Sequence, residues 1–183
     1  GRYFNTPHDL CQSEHCLQAF QNFLEKKYQG DLAHLNRNWK TSFANWAALR
    51  PLNYADSQRT KNFTSWIEHR AFMMSNMTQI LKMITEEIQA VAPGSEVGLS
   101  GMTMTRLYQG FDLLETIPFL KVSCFYLTPF SMDAVRSFSS KSHRIGSYTD
   151  YGARYGVWEQ LIGGMKTPSI WWYGHCLRNG DGR

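Results

Sequence analysis

Two ionisable side chains near the end of the chain follow short runs that have the character of β-strands. Asp150 comes just after the run 143–148, and His175 comes just after the aromatic run 169–173. Because a helical pattern at about 153–166 separates the two runs, they predict a βαβ unit with parallel strands and a right-handed crossover. Ligands of parallel sheets bind beyond the carboxyl ends of the strands, so Asp150 and His175 are candidate site residues.

Aromatic side chains gather near the same predicted strand ends. They are Tyr126, Tyr148, Trp171 and Trp172. An aromatic ring at such a position can stack on a flat ligand such as a sugar ring, so these four residues are candidate substrate contacts. His175 is a candidate hydrogen-bond donor to the same substrate. Packing in the protein core is the alternative role for each ring.

Cysteine and histidine side chains cluster near the N-terminus, and both are zinc ligands. Cys11 and Cys16 are five residues apart and are flanked by His8 and His15. Zinc sites usually space two cysteines more closely, as in C-x₂-C, so we expect no metal here. The glycines after the first predicted strand do not match the spacing of a dinucleotide-binding loop. We therefore expect no cofactor.

The composition indicates a packed domain and excludes two classes of partner. The chain has 183 residues, 43% of them hydrophobic, and a formal net charge of +4. Because the positive charge is spread along the chain, we expect neither a nucleic-acid partner nor a membrane partner. No apolar run approaches the roughly 18–20 residues of a membrane span. The localisation stays open between a bacterial cytoplasm and secretion, since a targeting peptide could precede Gly1.

The elements that must position these side chains follow from the hydrophobic periodicity. Apolar residues at helical spacing predict helices at 13–28, 31–39 and 57–92, the last ended by Pro93-Gly94. Short strands then alternate with helices, and the predicted strands are 96–100, 121–127, 143–148 and 169–173. The run 121–127 is apolar throughout, as in a strand buried on both faces. Strand spacings of about 22–26 residues are typical of βα units, so we predict an α/β fold with about four parallel strands.

Three motifs near the N-terminus carry a family resemblance. They are H-C-x-x-A-F-x-x-F-L at 15–24, K-Y-x-G-D-L-x-x-L-N-x-x-W at 27–39, and T-x-F-x-x-W at 41–46. Together with W-I-E-H-R-A-F at 66–72, they resemble glycoside hydrolase family 42, the β-galactosidase-like enzymes. The resemblance implies a partial (β/α)₈ TIM barrel that contains strands five to eight. On this reading residues 1–56 are a helical insertion after strand four, and 57–183 are the long helix and the four strands of a single partial barrel domain.

The resemblance also implies catalytic roles. The family nucleophile lies at the end of strand seven, where this chain has Asp150 in place of the family's Glu. The alternative for Asp150 is a loop-capping residue, a common role for Asp, and Glu159 is the rival nucleophile, which we read as structural. The family's general acid/base Glu would precede Gly1. The zinc-binding members have a further Cys where Ser13 stands here, which again predicts no metal.

Two functions from different classes follow. The first is a glycoside hydrolase fragment that cleaves a β-galactoside-like bond by a retaining mechanism with two carboxylates, of which this chain supplies one. The second is a non-catalytic barrel domain that binds carbohydrate or a partner chain. Four parallel strands expose hydrogen-bonding edges, so we also expect a homo-oligomer or association with the missing half of the barrel.

Overall fold

The computed structural model describes residues 10–103, 112–126, 133, 135–137, 139–149, 158 and 160–170. The helices are α1 (Glu14–Lys27), α2 (Leu32–Trp39), α3 (Tyr54–Thr60), α4 (Thr64–Val91) and α5 (Leu113–Thr116), and the strands are β1 (Gly98–Thr103), β2 (Val122–Tyr126), β3 (Arg144–Thr149) and β4 (Thr167–Ile170). The chain divides into two compact units, a first unit of residues 1–77 and a second unit of residues 78–183, and the boundary falls within α4. The single domain with a division at residue 56 stays a prediction.

Local side-chain caps fix the first two helices, which lie within one residue of their predicted bounds. The hydroxyl of Ser13 accepts a hydrogen bond from the backbone N–H of Cys16 at the start of α1. Gly30, at φ +78°, follows the end of that helix, where a left-handed residue is favourable. The carboxylate of Asp31 accepts from the N–H of His34, at 2.8 Å, and begins α2.

The first unit is held together by an aromatic and aliphatic core. Phe20, Leu24 and Trp39 are completely or almost completely buried. The ring of Phe20 lies 4.9 Å from the ring of His69 and 5.4 Å from that of Phe72, measured between centroids. These contacts join α1 to α4, and the ring of Trp39 on α2 stacks on Phe20 with 6.2 Å between the centroids. The predicted apolar stripes of the first two helices are confirmed as core positions.

The single long helix predicted for 57–92 is wrong, because two helices occupy this segment. Lys61 has a left-handed backbone, with φ +53°, and ends α3. The Asn62 amide then donates to the carbonyl oxygen of Trp39, at 2.7 Å, which holds the break in place. The break comes from this distant contact, which the local hydrophobic periodicity could not reveal. Among the described helices none is both long and apolar enough to span a membrane.

The four predicted strands are confirmed, and they form one parallel sheet. The strand order is β1-β2-β3-β4, so each strand pairs with its neighbour in the sequence and the order never reverses. A register shift interrupts the pairing of β1 with β2 between Ser100 and Met102. The α/β class predicted for the chain is therefore confirmed in the second unit, residues 78–183.

One face of the sheet carries the core of the second unit. Ile145 of β3 packs in a buried cluster with Leu113, Ile117, Val135 and Met165. Ser123 of β2 points to this face and is completely buried. Tyr126 and Cys124 of β2 point to the opposite face, where Tyr126 is exposed and Cys124 is half-buried. The described core lies against the first of these faces, and burial of β2 on both faces stays a prediction.

Candidate functional site

Two tyrosines lie side by side at the carboxyl edge of the sheet. Phe125 of β2 is paired with Ser147 of β3, so the next positions, Tyr126 and Tyr148, are also neighbours. Their ring centroids are 5.0 Å apart and the ring planes are inclined by 36°. Both side chains therefore project from the same face, the face opposite the buried core. Two of the predicted substrate contacts are thus brought together.

A serine from the first strand completes this cluster. The hydroxyl groups of Ser100 and Tyr148 are hydrogen-bonded, and either can be the donor. Ser100 lies just before Gly101, which adopts φ +80° at the register shift in β1. An L-residue is strained at that φ, so glycine permits the bulge that ends regular pairing beside Ser100. We refer to Ser100, Tyr126 and Tyr148 as the carboxyl-edge cluster.

The carboxyl-edge cluster is open to solvent and combines aromatic faces with hydroxyl groups. Tyr126 is 38% exposed, Ser100 is exposed and Tyr148 is half-buried. Such a surface can stack against the apolar face of a sugar ring and exchange hydrogen bonds with its hydroxyl groups. Within the described residues the cluster includes no carboxylate, so by itself it provides binding and no acid–base chemistry. Ser100 was not among the site residues predicted from the sequence. The adjacent Gly101 was a usable signal, because a glycine within a strand often marks a bulge.

The remaining predicted site residues lie outside the described part of the chain. These residues are Asp150, Trp171, Trp172 and His175, and the rival carboxylate Glu159 is also outside it. In the sequence, Asp150 and Trp171 directly follow Thr149 and Ile170, the residues that end β3 and β4. Thr149 and Ile170 are paired in the sheet. The roles of these side chains stay predictions.

The two N-terminal cysteines form a thiol pair. The Cys16 thiol donates to the sulfur of Cys11, with 3.0 Å between the two Sγ atoms, and the Cys11 thiol lies 3.3 Å from the Ser13 hydroxyl. The hydrogen bond from Cys16, with a smaller contribution from Ser13, lowers the pKa of Cys11 to about 7. Both thiols are free, since a disulfide would bring the sulfurs to about 2.05 Å.

The thiol pair does not extend into a set of metal ligands in the part of the chain that the structure describes. No group of three or more His, Cys, Asp or Glu side chains lies together among those residues. His15 is described and exposed, whereas His8 lies outside the described residues.

Comparison with protein families identifies one match that covers most of the chain. The model of glycoside hydrolase family 42, described as beta-galactosidase, matches residues 4–165. The match includes β1, β2 and β3 together with the carboxyl-edge cluster. No curated protein sequence matches the chain.

Proposed function

The chain belongs to glycoside hydrolase family 42, and from this we propose that it hydrolyses a β-galactoside-like glycosidic bond with retention of configuration. The nucleophile in this proposal is Asp150. The substrate sugar lies against the carboxyl edge of the sheet, over Tyr126 and Tyr148. The proposed substrate contacts also include Trp171, Trp172 and His175.

The observation that carries the proposal is the carboxyl-edge cluster. Its tyrosine rings are neighbours on two adjacent strands, 5.0 Å apart, and the Ser100 hydroxyl bonds to one of them. Ligands of parallel sheets bind at this edge in barrels and in open sheets alike. The cluster therefore offers a sugar both a stacking surface and hydroxyl partners one strand position away from the end of β3.

The strand order supports the proposal that this sheet is half of a TIM barrel. Each strand pairs with its sequence neighbour and the order does not reverse, whereas a doubly wound sheet reverses its order at the ligand site. The described core lies on one face, as the outer helices do in a barrel. Gly146, Cys124 and Ser100, which lie on the other face, are small enough for a barrel interior.

Retention requires two carboxyl groups about 5–5.5 Å apart. In the first step a carboxylate oxygen of Asp150 attacks the anomeric carbon, and the general acid protonates the departing glycosidic oxygen. In the second step the deprotonated general acid acts as a base and removes a proton from water. The water oxygen attacks the anomeric carbon and releases Asp150. We propose, as the family resemblance implies, that this second carboxyl group is a glutamate upstream of Gly1.

Replacement of the nucleophile tests the proposal in the full-length protein. Asp150→Ala should lower the turnover of an aryl β-galactoside by about 10³-fold or more, because the glycosyl ester cannot form. Glu159→Gln is the matched control, and it should leave turnover within about threefold of the parent. Undiminished turnover by Asp150→Ala, or loss of turnover only in Glu159→Gln, would remove Asp150 from the mechanism.

A second candidate function is carbohydrate binding without turnover. It is favoured by the chemistry of the described cluster, which holds stacking and hydroxyl groups and no carboxylate within the described residues. Galactose binding measured by calorimetry, in a full-length protein that cleaves no aryl glycoside, would favour this candidate. Turnover that depends on Asp150 excludes it.

A further inference from the structure

The thiol pair at the start of α1 joins a residue in the coil before the helix to a residue in its first turn. Cys11 precedes the N-cap Ser13 and lies outside any regular element, whereas Cys16 belongs to α1. The backbone N–H of Leu17 donates to the carbonyl oxygen of Ser13, at 2.9 Å, and the Leu17 side chain is buried. The helix therefore fixes the position of Cys16, while no helix or strand fixes that of Cys11.

The two sulfur atoms of this pair are already in contact. The Cys16 thiol donates to Sγ of Cys11 across 3.0 Å, so the two atoms that a disulfide would join are neighbours in the reduced protein. Formation of the bond requires an approach of about 1 Å, to the usual S–S length of about 2.05 Å. The coil at Cys11 can supply this movement and leave α1 intact, because Cys11 lies before the N-cap.

The surroundings of the pair favour Cys11 as the attacking thiol. Cys11 is exposed, whereas Cys16 is half-buried. The hydrogen bond from Cys16, with a smaller contribution from Ser13, lowers the pKa of Cys11 to about 7, so about half of this thiol is ionised at neutral pH. An ordinary cysteine is ionised to only a few per cent under the same conditions. The thiolate is the form that attacks the sulfur of a disulfide.

We propose that Cys11 and Cys16 form a reversible disulfide by exchange with a small disulfide such as oxidised glutathione. The Cys11 thiolate attacks one sulfur of the small disulfide, which forms a mixed disulfide and releases one thiolate. That thiolate takes the proton of Cys16, and the Cys16 sulfur then attacks Sγ of Cys11 and releases the second thiolate. The two protein thiols are thereby oxidised, and the small disulfide is reduced to one thiol and one thiolate.

The disulfide between these two cysteines is of the readily reduced kind. The cysteines are only 5 positions apart, and closure of so short a loop removes little entropy from the unfolded chain. A disulfide with an exposed sulfur is also reduced more easily than a buried structural one. The pair is therefore a redox switch that fastens the coil before α1 to the first turn of the helix. It is independent of the proposed glycosidase activity, because the exchange involves no sugar substrate.

Incubation of the protein with excess oxidised glutathione tests the switch. The reaction is quenched with acid, and the remaining thiols are alkylated with N-ethylmaleimide. We expect the tryptic peptide 3–26, which contains both cysteines, to carry no alkyl group and to lack two hydrogen atoms relative to the reduced peptide. Excess reduced glutathione should restore alkylation of both cysteines. A peptide that stays fully alkylated, or one with a separate glutathione on each cysteine, would overturn the proposal.

Three variants test the order of the steps. Cys16→Ala should retain glutathione on Cys11 as a mixed disulfide, and absence of this adduct would overturn Cys11 as the attacking thiol. In Cys11→Ala, Cys16 should acquire glutathione about tenfold more slowly than the parent loses its thiols, because the exposed thiolate is gone, and an equal rate would overturn the same step. Cys124→Ala is the matched control, since Cys124 is a free cysteine of β2. It should form the Cys11–Cys16 disulfide as the parent does, and its failure to do so would overturn direct exchange. Far-UV circular dichroism checks the fold of each variant.

Discussion

At the scale of single residues, hydrogen bonding separates side chains that look equivalent in the sequence. Cys11 and Cys16 are both free cysteines, and the hydrogen bond that Cys16 donates lowers the pKa of Cys11 to about 7. Tyr126 is the last residue of β2 and Tyr148 the last but one of β3, and the hydroxyl of Tyr148 is hydrogen-bonded to that of Ser100. The sequence indicated these positions but not their partners, because the partners depend on register and on loop conformation.

The lowered pKa predicts unusual reactivity for Cys11. Its thiolate should be alkylated by iodoacetamide with a rate that rises through about pH 7, well below the usual cysteine value of about 8.5. Peptide mass spectrometry across a pH series gives the rate for each cysteine. Cys16→Ala is the informative variant, because loss of the donor should move the midpoint for Cys11 upward. A midpoint near the usual value in the parent would contradict the thiol pair.

At the scale of elements, capping residues were predictable and chain breaks were not. Ser13 and Asp31 are of residue types that favour the N-cap position, and each caps the helix that begins after it. The break at Lys61 depends on the contact of Asn62 with the Trp39 carbonyl, which comes from 23 residues earlier in the chain. The bulge after Ser100 likewise depends on how β1 meets β2. Such features arise from pairing between distant segments, and local periodicity carries no information about them.

The short helix α3 offers a quantitative test at this scale. The Asn53 side chain accepts from the N–H of Asp56, at 2.7 Å, and its amide donates to the Asp56 carboxylate, at 2.9 Å. Asn53→Ala should lower the free energy of unfolding by about 1 kcal/mol, the usual effect of removing an N-cap. Urea denaturation measures the change. Asn53→Ser keeps a capping oxygen and should lose less than half as much, whereas equal losses would show that the cap does not stabilise α3.

At the scale of the whole molecule, the sequence predicted the α/β class and all four parallel strands of the sheet. It did not predict which face of β2 would carry the described core, because the position of a core depends on the segments that cover the sheet. Several large apolar side chains of α4 are also exposed, namely Ile80, Met83, Ile84, Ile88 and Val91. Apolar patches of this kind often mark contact surfaces. Association of the chain with itself or with another barrel half stays a prediction.

If Asp150 is the nucleophile of a retaining mechanism at the carboxyl edge of this sheet, it becomes covalently linked to the sugar during turnover. The most direct measurement is covalent trapping of the full-length protein with a 2-deoxy-2-fluoro-β-galactosyl fluoride. The carboxylate that attacks the anomeric carbon displaces fluoride and retains the sugar as a slowly hydrolysed ester. We expect peptide mass spectrometry to find the fluorosugar on Asp150. Its attachment to Glu159 or to any other residue, or the absence of a labelled peptide from a protein that the reagent inactivates, would contradict the assignment.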